Sequence, residues 1–244
     1  MSNSSSALVV KDVTKVFSTR TRYPGKFFSA RTDVLGLHNV NLRISTGDIV
    51  GLIGGNGSGK TTLLRVMSGA LNATSGKVMS AYRPRLVSLS GLQLPNLSVL
   101  ENTELMLRAH GRGKTESRSE ALDLIELAEL GDKTYLPYHT LSTGMRARLG
   151  FFLTTVNQPD ILLMDELLSV ADSKFHELAH EIITTMIASA KAVVIASHSM
   201  HTISTVCNSA VVMDRGMVAF HGTPSSAIAF YQSKAGARRT VMSS

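Results

Sequence analysis

Apolar and polar positions follow two different rhythms along this chain. Short apolar runs bounded by turn residues occur at Ile49–Ile53, Ile161–Met164, Ala192–Ala196 and Ser209–Met213. Runs of that length, apolar on both faces, read as buried strands of a parallel sheet. Val9–Phe17 and Val40–Ile44 predict two further short strands, separated by a basic and aromatic segment, residues 18–37. Lys77-Val78-Met79 predicts another strand after the turn signal Thr74-Ser75-Gly76. From about Ser98 the period becomes helical. Ser117-Arg118-Ser119-Glu120 fits a capping box; Leu122, Ile125, Leu127 and Leu130 follow at helical spacing, and Gly131 stands where a C-terminal cap belongs. A second helix is expected from near Gly144 to about Val156, and a last one near residues 224–233. The pattern describes an α/β core, residues 7–90 and 156–222, interrupted by a helical insertion over residues 91–155.

Composition narrows the class. At 244 residues, 43% of them hydrophobic, with a mean hydropathy of +0.12, the chain can bury a sizeable core. No apolar run reaches the roughly 18 residues that span a bilayer. The start, Met1-Ser2-Asn3-Ser4-Ser5-Ser6, lacks the apolar core of an export signal. A single cysteine, Cys207, excludes an internal disulfide framework and, among Val206 and Ala210-Val211-Val212-Met213, reads as a small core residue. The net charge of +7 permits contact with nucleic acid or an anionic membrane face. Its basic residues are dispersed apart from Arg20, Arg22, Lys26, Arg31 and Arg238-Arg239. A solvated surface is therefore the expectation, with no nucleic-acid partner.

The chemistry concentrates at Gly54-Gly55-Asn56-Gly57-Ser58-Gly59-Lys60-Thr61, a G-x-x-x-x-G-K-T run between an apolar strand and the helix-like Thr62–Met67. In that context glycines let the backbone N–H groups turn toward a phosphate, and the helix start adds unpaired N–H groups and a positive dipole end. Lys60 supplies a charge for the β- and γ-phosphates, and the Thr61 hydroxyl a ligand for Mg²⁺. Ile161–Met164 leads into Asp165-Glu166. A strand delivers such acids to the carboxyl edge of the sheet, where Asp165 can hold Mg²⁺ and Glu166 can orient or deprotonate an attacking water. Upstream, Leu141-Ser142-Thr143-Gly144-Met145 opens a helix, so that Ser142 and the Gly144 N–H offer an anion site.

Phosphate loop, serine-glycine helix start, acidic strand end and a later strand followed by His198, in this order, resemble the ATP-binding cassette of ABC transporters over roughly Val9 to Tyr231. The resemblance implies a P-loop NTPase with a RecA-like core and an inserted helical subdomain. It also implies ATP and Mg²⁺ as cofactors, and a homodimer holding two ATP molecules between one subunit's phosphate loop (Gly54–Thr62) and the other's Ser142 and Gly144. Glu166 and His198 then serve as catalytic base and switch histidine, Ser169-Val170-Ala171-Asp172 couples the two sites, and Phe17, with Tyr23 as a rival, stacks on adenine.

Two departures from the family pattern stand out. The usual signature Leu-Ser-Gly-Gly-Gln carries Thr143 and Met145 here, and Leu89 occupies the place of a Gln that touches Mg²⁺, with Gln93 out of register. The signature, the long basic insertion and the ending Val206-Cys207-Asn208 with Asp214-Arg215-Gly216 resemble the polysaccharide-exporting branch, which serves O-antigen, teichoic acid, capsule and galactan export. Membership implies a separate multi-helix permease, a lipid-linked glycan as cargo and a peripheral place on the cytoplasmic face of the membrane. No carbohydrate-binding domain is expected after the C-terminal helix. Another ABC importer or exporter, and a soluble ABC ATPase acting on ribosomes or DNA, are the alternatives. Segment 18–37 is read equally as a contact for anionic headgroups or pyrophosphate and as a permissive surface loop.

Overall fold

A computed structural model describes residues 5–22, 29–87, 94–156, 159–165 and 173–242. The chain forms two compact units. The described parts of residues 1–86, 159–166 and 190–244 make the first, and those of 87–158 and 167–189 the second.

The first unit holds two sheets. β1 (Ser6–Arg22), β2 (Ser29–Ser45) and β4 (Ser75–Ser80) make an antiparallel sheet in the order β2-β1-β4. The second sheet runs β5-β6-β7-β3-β8-β9, from β5 (Pro84–Val87), β6 (Ile161–Asp165) and β7 (Ala192–Ala196) through β3 (Ile49–Ile53) to β8 (Ser209–Asp214) and β9 (Met217–Gly222). Within it β6, β7, β3 and β8 are parallel, and β9 turns back antiparallel on β8. Every residue of β7 is buried, as the continuous apolar run requires of a strand covered on both faces. Leu8, Val10, Leu42 and Ile44 from the small sheet, Val50, Leu52, Leu163, Val194 and Val211 from the large one, and Leu63, Leu64 and Met67 of α1 (Lys60–Met67) share one core.

The expectation of two short strands with an unassigned segment between them is corrected. β1 and β2 pair from Ser6–Ser45 outward to Arg22–Ser29, so the described part of segment 18–37 continues the hairpin. β4 covers β1 only between Leu8 and Thr14, and beyond it the ribbon is two-stranded. Val34 and Leu35 there are 55% and 49% exposed. Cross-strand pairs such as Phe17–Val34 help to hold this ribbon. With Val34 and Leu35 both exposed, no inside-outside alternation marks these positions in the sequence.

The second unit contains α2 (Val99–Ala109), α3 (Lys114–Leu127), α4 (Thr143–Thr155) and α5 (Ser173–Ser189). Ser98 and Glu101 close a reciprocal capping box at the start of α2, and those hydrogen bonds from Ser98 hold the Glu101 carboxyl below its ordinary pKa. Asn102, 3% exposed, bonds the Leu94 N–H and the carbonyls of Leu94, Leu97 and Ser98, pinning the segment ahead of the helix. The expected cap at Ser117 is corrected: α3 begins three residues earlier, at Lys114, and Ser117 lies buried inside it, its hydroxyl donating to the Lys114 carbonyl. The C-terminal cap is likewise not Gly131. Glu129 takes the left-handed position (φ 55°), the Leu130 N–H reaches the Ile125 carbonyl and the Glu129 N–H that of Glu126, a Schellman arrangement. The chain ends in α6 (Met200–Val206) and α7 (Pro224–Met242), both in the first unit.

Candidate functional site

Parallel strands bring their carboxyl ends to one edge of the sheet. Leu52 of β3 pairs with Ala196 of β7, which pairs in turn with Asp165 of β6. The loop after β3 therefore emerges beside Asp165 and beside the turn carrying His198. All three meet in a cavity of about 550 Å³ lined by Asn56, Gly57, Ser58, Gly59, Lys60, Thr61 and Thr62, by Asp165 and His198, and by Phe17, Val34, Leu35 and Gly36.

The loop is wound by local geometry. Gly59 sits at φ 105° as the residue before α1, a conformation open to glycine, and a Cβ there would meet the Gly36 carbonyl oxygen at 2.9 Å. Lys60, only 7% exposed, extends its ammonium back along the loop to the carbonyls of Gly54 (2.7 Å) and Gly55 (3.3 Å). The Ser58 hydroxyl is buried with no hydrogen-bond partner among the described residues. A loop with glycine dihedrals, a buried ammonium, an unsatisfied hydroxyl and the start of a helix fits a polyphosphate. Among the described residues no group of three or more His, Cys, Asp or Glu could hold a metal. Thr61 and Asp165 offer two oxygen donors beside the cradle, which suits a Mg²⁺ that completes its shell with phosphate oxygens and water.

The outer wall comes from the ribbon. Phe17, 39% exposed, lies against Gly36 and under the Lys15 ammonium, 5.4 Å from the ring centroid. Together with Val34 and Leu35 it forms an apolar shelf next to the phosphate cradle. Of these wall residues only Phe17 was singled out from the sequence. Gly36, a lone glycine inside what proves to be a strand, was the available signal, since such a residue marks close backbone approach.

Ser142 and Gly144 lie in the second unit. Ser142 caps α4, its hydroxyl accepting from the Met145 N–H at 3.3 Å, and residues 142–144 are exposed. Arg146 steadies this turn by donating to the carbonyls of Leu141 (3.0 Å) and His139 (3.1 Å), over the Tyr138 ring. Glu166, residues 169–172, Leu89, Gln93 and Tyr23 lie outside the described residues. Cys207 is buried as expected, and burial pushes its thiol up to about 12. Among the described residues no helix is long and apolar enough to cross a membrane.

The sequence and the fold are similar to those of known proteins. The chain is 37% identical to a teichoic acids export ATP-binding protein of Listeria monocytogenes over 188 residues, 77% of this chain and 56% of that protein. It is 37% identical to an O-antigen export system ATP-binding protein of Yersinia enterocolitica over 186 residues, 76% of this chain and 78% of that one. It thus spans little more than half the length of the Listeria relative it matches. The solved dimeric ATP-binding cassette MJ0796, in a post-hydrolysis state bound to ADP and Pi, superposes with a TM-score of 0.69 at 25% identity, covering 89% of this chain and 98% of that one. A sequence profile described as ABC transporter matches residues 37–169, more than half of the chain. On that match and on its α/β cassette fold, the chain belongs to the ABC transporter family.

Proposed function

We propose that this chain is the ATP-hydrolysing subunit of a transporter that exports a lipid-linked polysaccharide of the O-antigen, teichoic acid, capsule or galactan kind. The observation that carries the ATPase reading is the convergence of Lys60, Thr61, Asp165 and His198 on one cavity flanked by an apolar shelf. The cargo rests on the similarity to export ATP-binding proteins of teichoic acid and O-antigen systems.

In this reading the loop N–H groups and Lys60 hold the β- and γ-phosphates, while Phe17 stacks on adenine. Thr61 and Asp165 hold Mg²⁺, which supplies charge neutralisation at the phosphates when bound. Glu166, the residue after Asp165, takes a proton from the attacking water or orients it, and His198 contacts the γ-phosphate. Ser142 and the Gly144 N–H of one subunit close on the nucleotide held by the other, giving a homodimer with two ATP molecules. Hydrolysis reopens it, and the region around residues 92–112 passes the motion to a separate permease at the cytoplasmic face of the membrane.

The test is mass spectrometry of lipid-linked glycans in cells whose only copy carries Glu166→Gln. A polyprenyl-linked polymer accumulating inside the cell is the expected result and names the cargo. Normal glycan export in those cells, with the wild-type protein hydrolysing ATP, would move the function to another ABC transport system.

A further inference from the structure

We propose that the Arg215-Gly216 turn is a positioning element for the phosphate loop, with Gly216 keeping the Ser58 carbonyl turned away from the anion; the inference rests on the nucleotide-binding function proposed above. A loop that cradles phosphate must point its N–H groups inward, so its carbonyls need partners elsewhere. The Gly54 and Gly55 carbonyls receive the Lys60 ammonium, and the Gly59 carbonyl receives the Leu63 N–H at 2.8 Å, all within the loop and its helix. The Ser58 carbonyl receives its donor from outside. The Gly216 N–H reaches it at 2.9 Å from the hairpin between β8 and β9.

That donor is itself fixed on every side. The Gly216 carbonyl accepts from the His38 N–H of β2 at 2.8 Å, so the turn is wedged between the loop and the ribbon. Gly216 has φ 77°, and a Cβ there would lie 2.8 Å from the Gly36 oxygen and 3.1 Å from the Leu37 Cα, backbone atoms with no side chain to swing aside. Asp214 pairs with Met217 across Arg215-Gly216, and both turn residues have positive φ, as in a type I′ hairpin. Arg215 accepts that left-handed conformation (φ 49°) without being Asn, Asp or Gly, a strain that persists where the surroundings fix it. At the turn's base, Lys234 of α7 reaches the Asp214 carboxylate at 3.2 Å. In the sequence Asp214-Arg215-Gly216 marks a resemblance to the exporting branch; in the fold it stands against the phosphate loop.

The experiment is titration of the full chain with a fluorescent methylanthraniloyl ATP, wild type against Gly216→Ala, with steady-state ATP hydrolysis on the same samples. The expected result is affinity weakened by roughly tenfold or more in the variant, with the loss of hydrolysis falling on KM. Partial unfolding would instead lower kcat and leave KM in place. Affinity within about twofold of wild type overturns the inference and leaves the function standing. Wild-type protein that binds no nucleotide overturns the function and the inference together. If Gly216→Ala does not fold, hydrogen exchange on the wild type decides. Slowing of the Gly216 amide by ATP, in step with the amides of residues 57–61, supports the brace, and unchanged exchange at Gly216 while those amides slow overturns it.

Discussion

The Phe17 ring rests on the bare backbone of Gly36, so closely that a Cβ on Gly36 would stand 2.6 Å from the ring's Cε2. The two residues belong to neighbouring strands, and their contact sets the height of the apolar shelf over the phosphate cradle. The atom in the way is the far end of a side chain, so a larger residue at 36 displaces the ring before it disturbs the fold. Gly36→Val is expected to weaken ATP binding about as much as Phe17→Ala does, on the scale of about 1–3 kcal/mol for one base stack. Affinity for inorganic triphosphate is expected to stay unchanged in both. Calorimetry with the two ligands checks this, and equal losses for ATP and triphosphate would show that Phe17 does not carry the base.

Lys60 is buried and spans the loop it charges. Lys60→Ala removes both the cation and the tie to the Gly54 and Gly55 carbonyls, so nucleotide affinity itself is expected to fall, not only turnover. Unchanged binding by calorimetry would refute the role assigned to the loop.

Glu166 carries the hydrolysis prediction. Glu166→Gln keeps the side chain's size and removes its basicity, so ATP is expected to bind and hold a closed dimer while turnover drops by about 10² or more. Light scattering with ATP and phosphate release on the same sample measure both. A variant that stays monomeric with ATP and turns over at the wild-type rate would return the catalytic base to another residue.

How much of this was legible beforehand depended on burial. The four central strands and the phosphate loop could be read because residues such as Leu52, Leu163 and Val194 are buried on both faces, leaving unbroken apolar runs. α4 was placed within a residue or two because Ser142 and its exposed neighbours sit at a cap. The outer ribbon was missed because Val34 and Leu35, adjacent residues, are both exposed, so burial imposes no two-residue period there. The ends of α3 were misplaced because Ser117 hydrogen-bonds inside the helix and Glu129, not a glycine, takes the left-handed cap. Gly36 leaves only the local trace of a lone glycine in a strand, and the role of Gly216 shows only in its distances to Gly36 and Leu37, segments far apart in sequence.

Cys207 gives a prediction that depends on the core alone. Its sulfur packs beside Gly51, where a Cβ would stand 3.2 Å away, and burial raises the thiol from its ordinary value of 9.0 to about 12. Below pH 9 the folded and unfolded chains both keep this proton, and the residue's contribution to stability is complete. Between pH 9 and about 12 the unfolded chain releases the proton and the folded chain retains it, so stability falls as pH rises through that window. Lysines and tyrosines titrate in the same range, and the comparison with Cys207→Ala cancels their share. The stability difference between wild type and variant, measured by urea unfolding at successive pH values, is therefore expected to shift against the wild type as pH rises above 9. The native thiol is also expected to resist iodoacetamide at mildly alkaline pH until denaturant is added, because the thiolate is the reacting form. A flat stability difference across the window, together with rapid alkylation of the folded protein, would place Cys207 in contact with solvent.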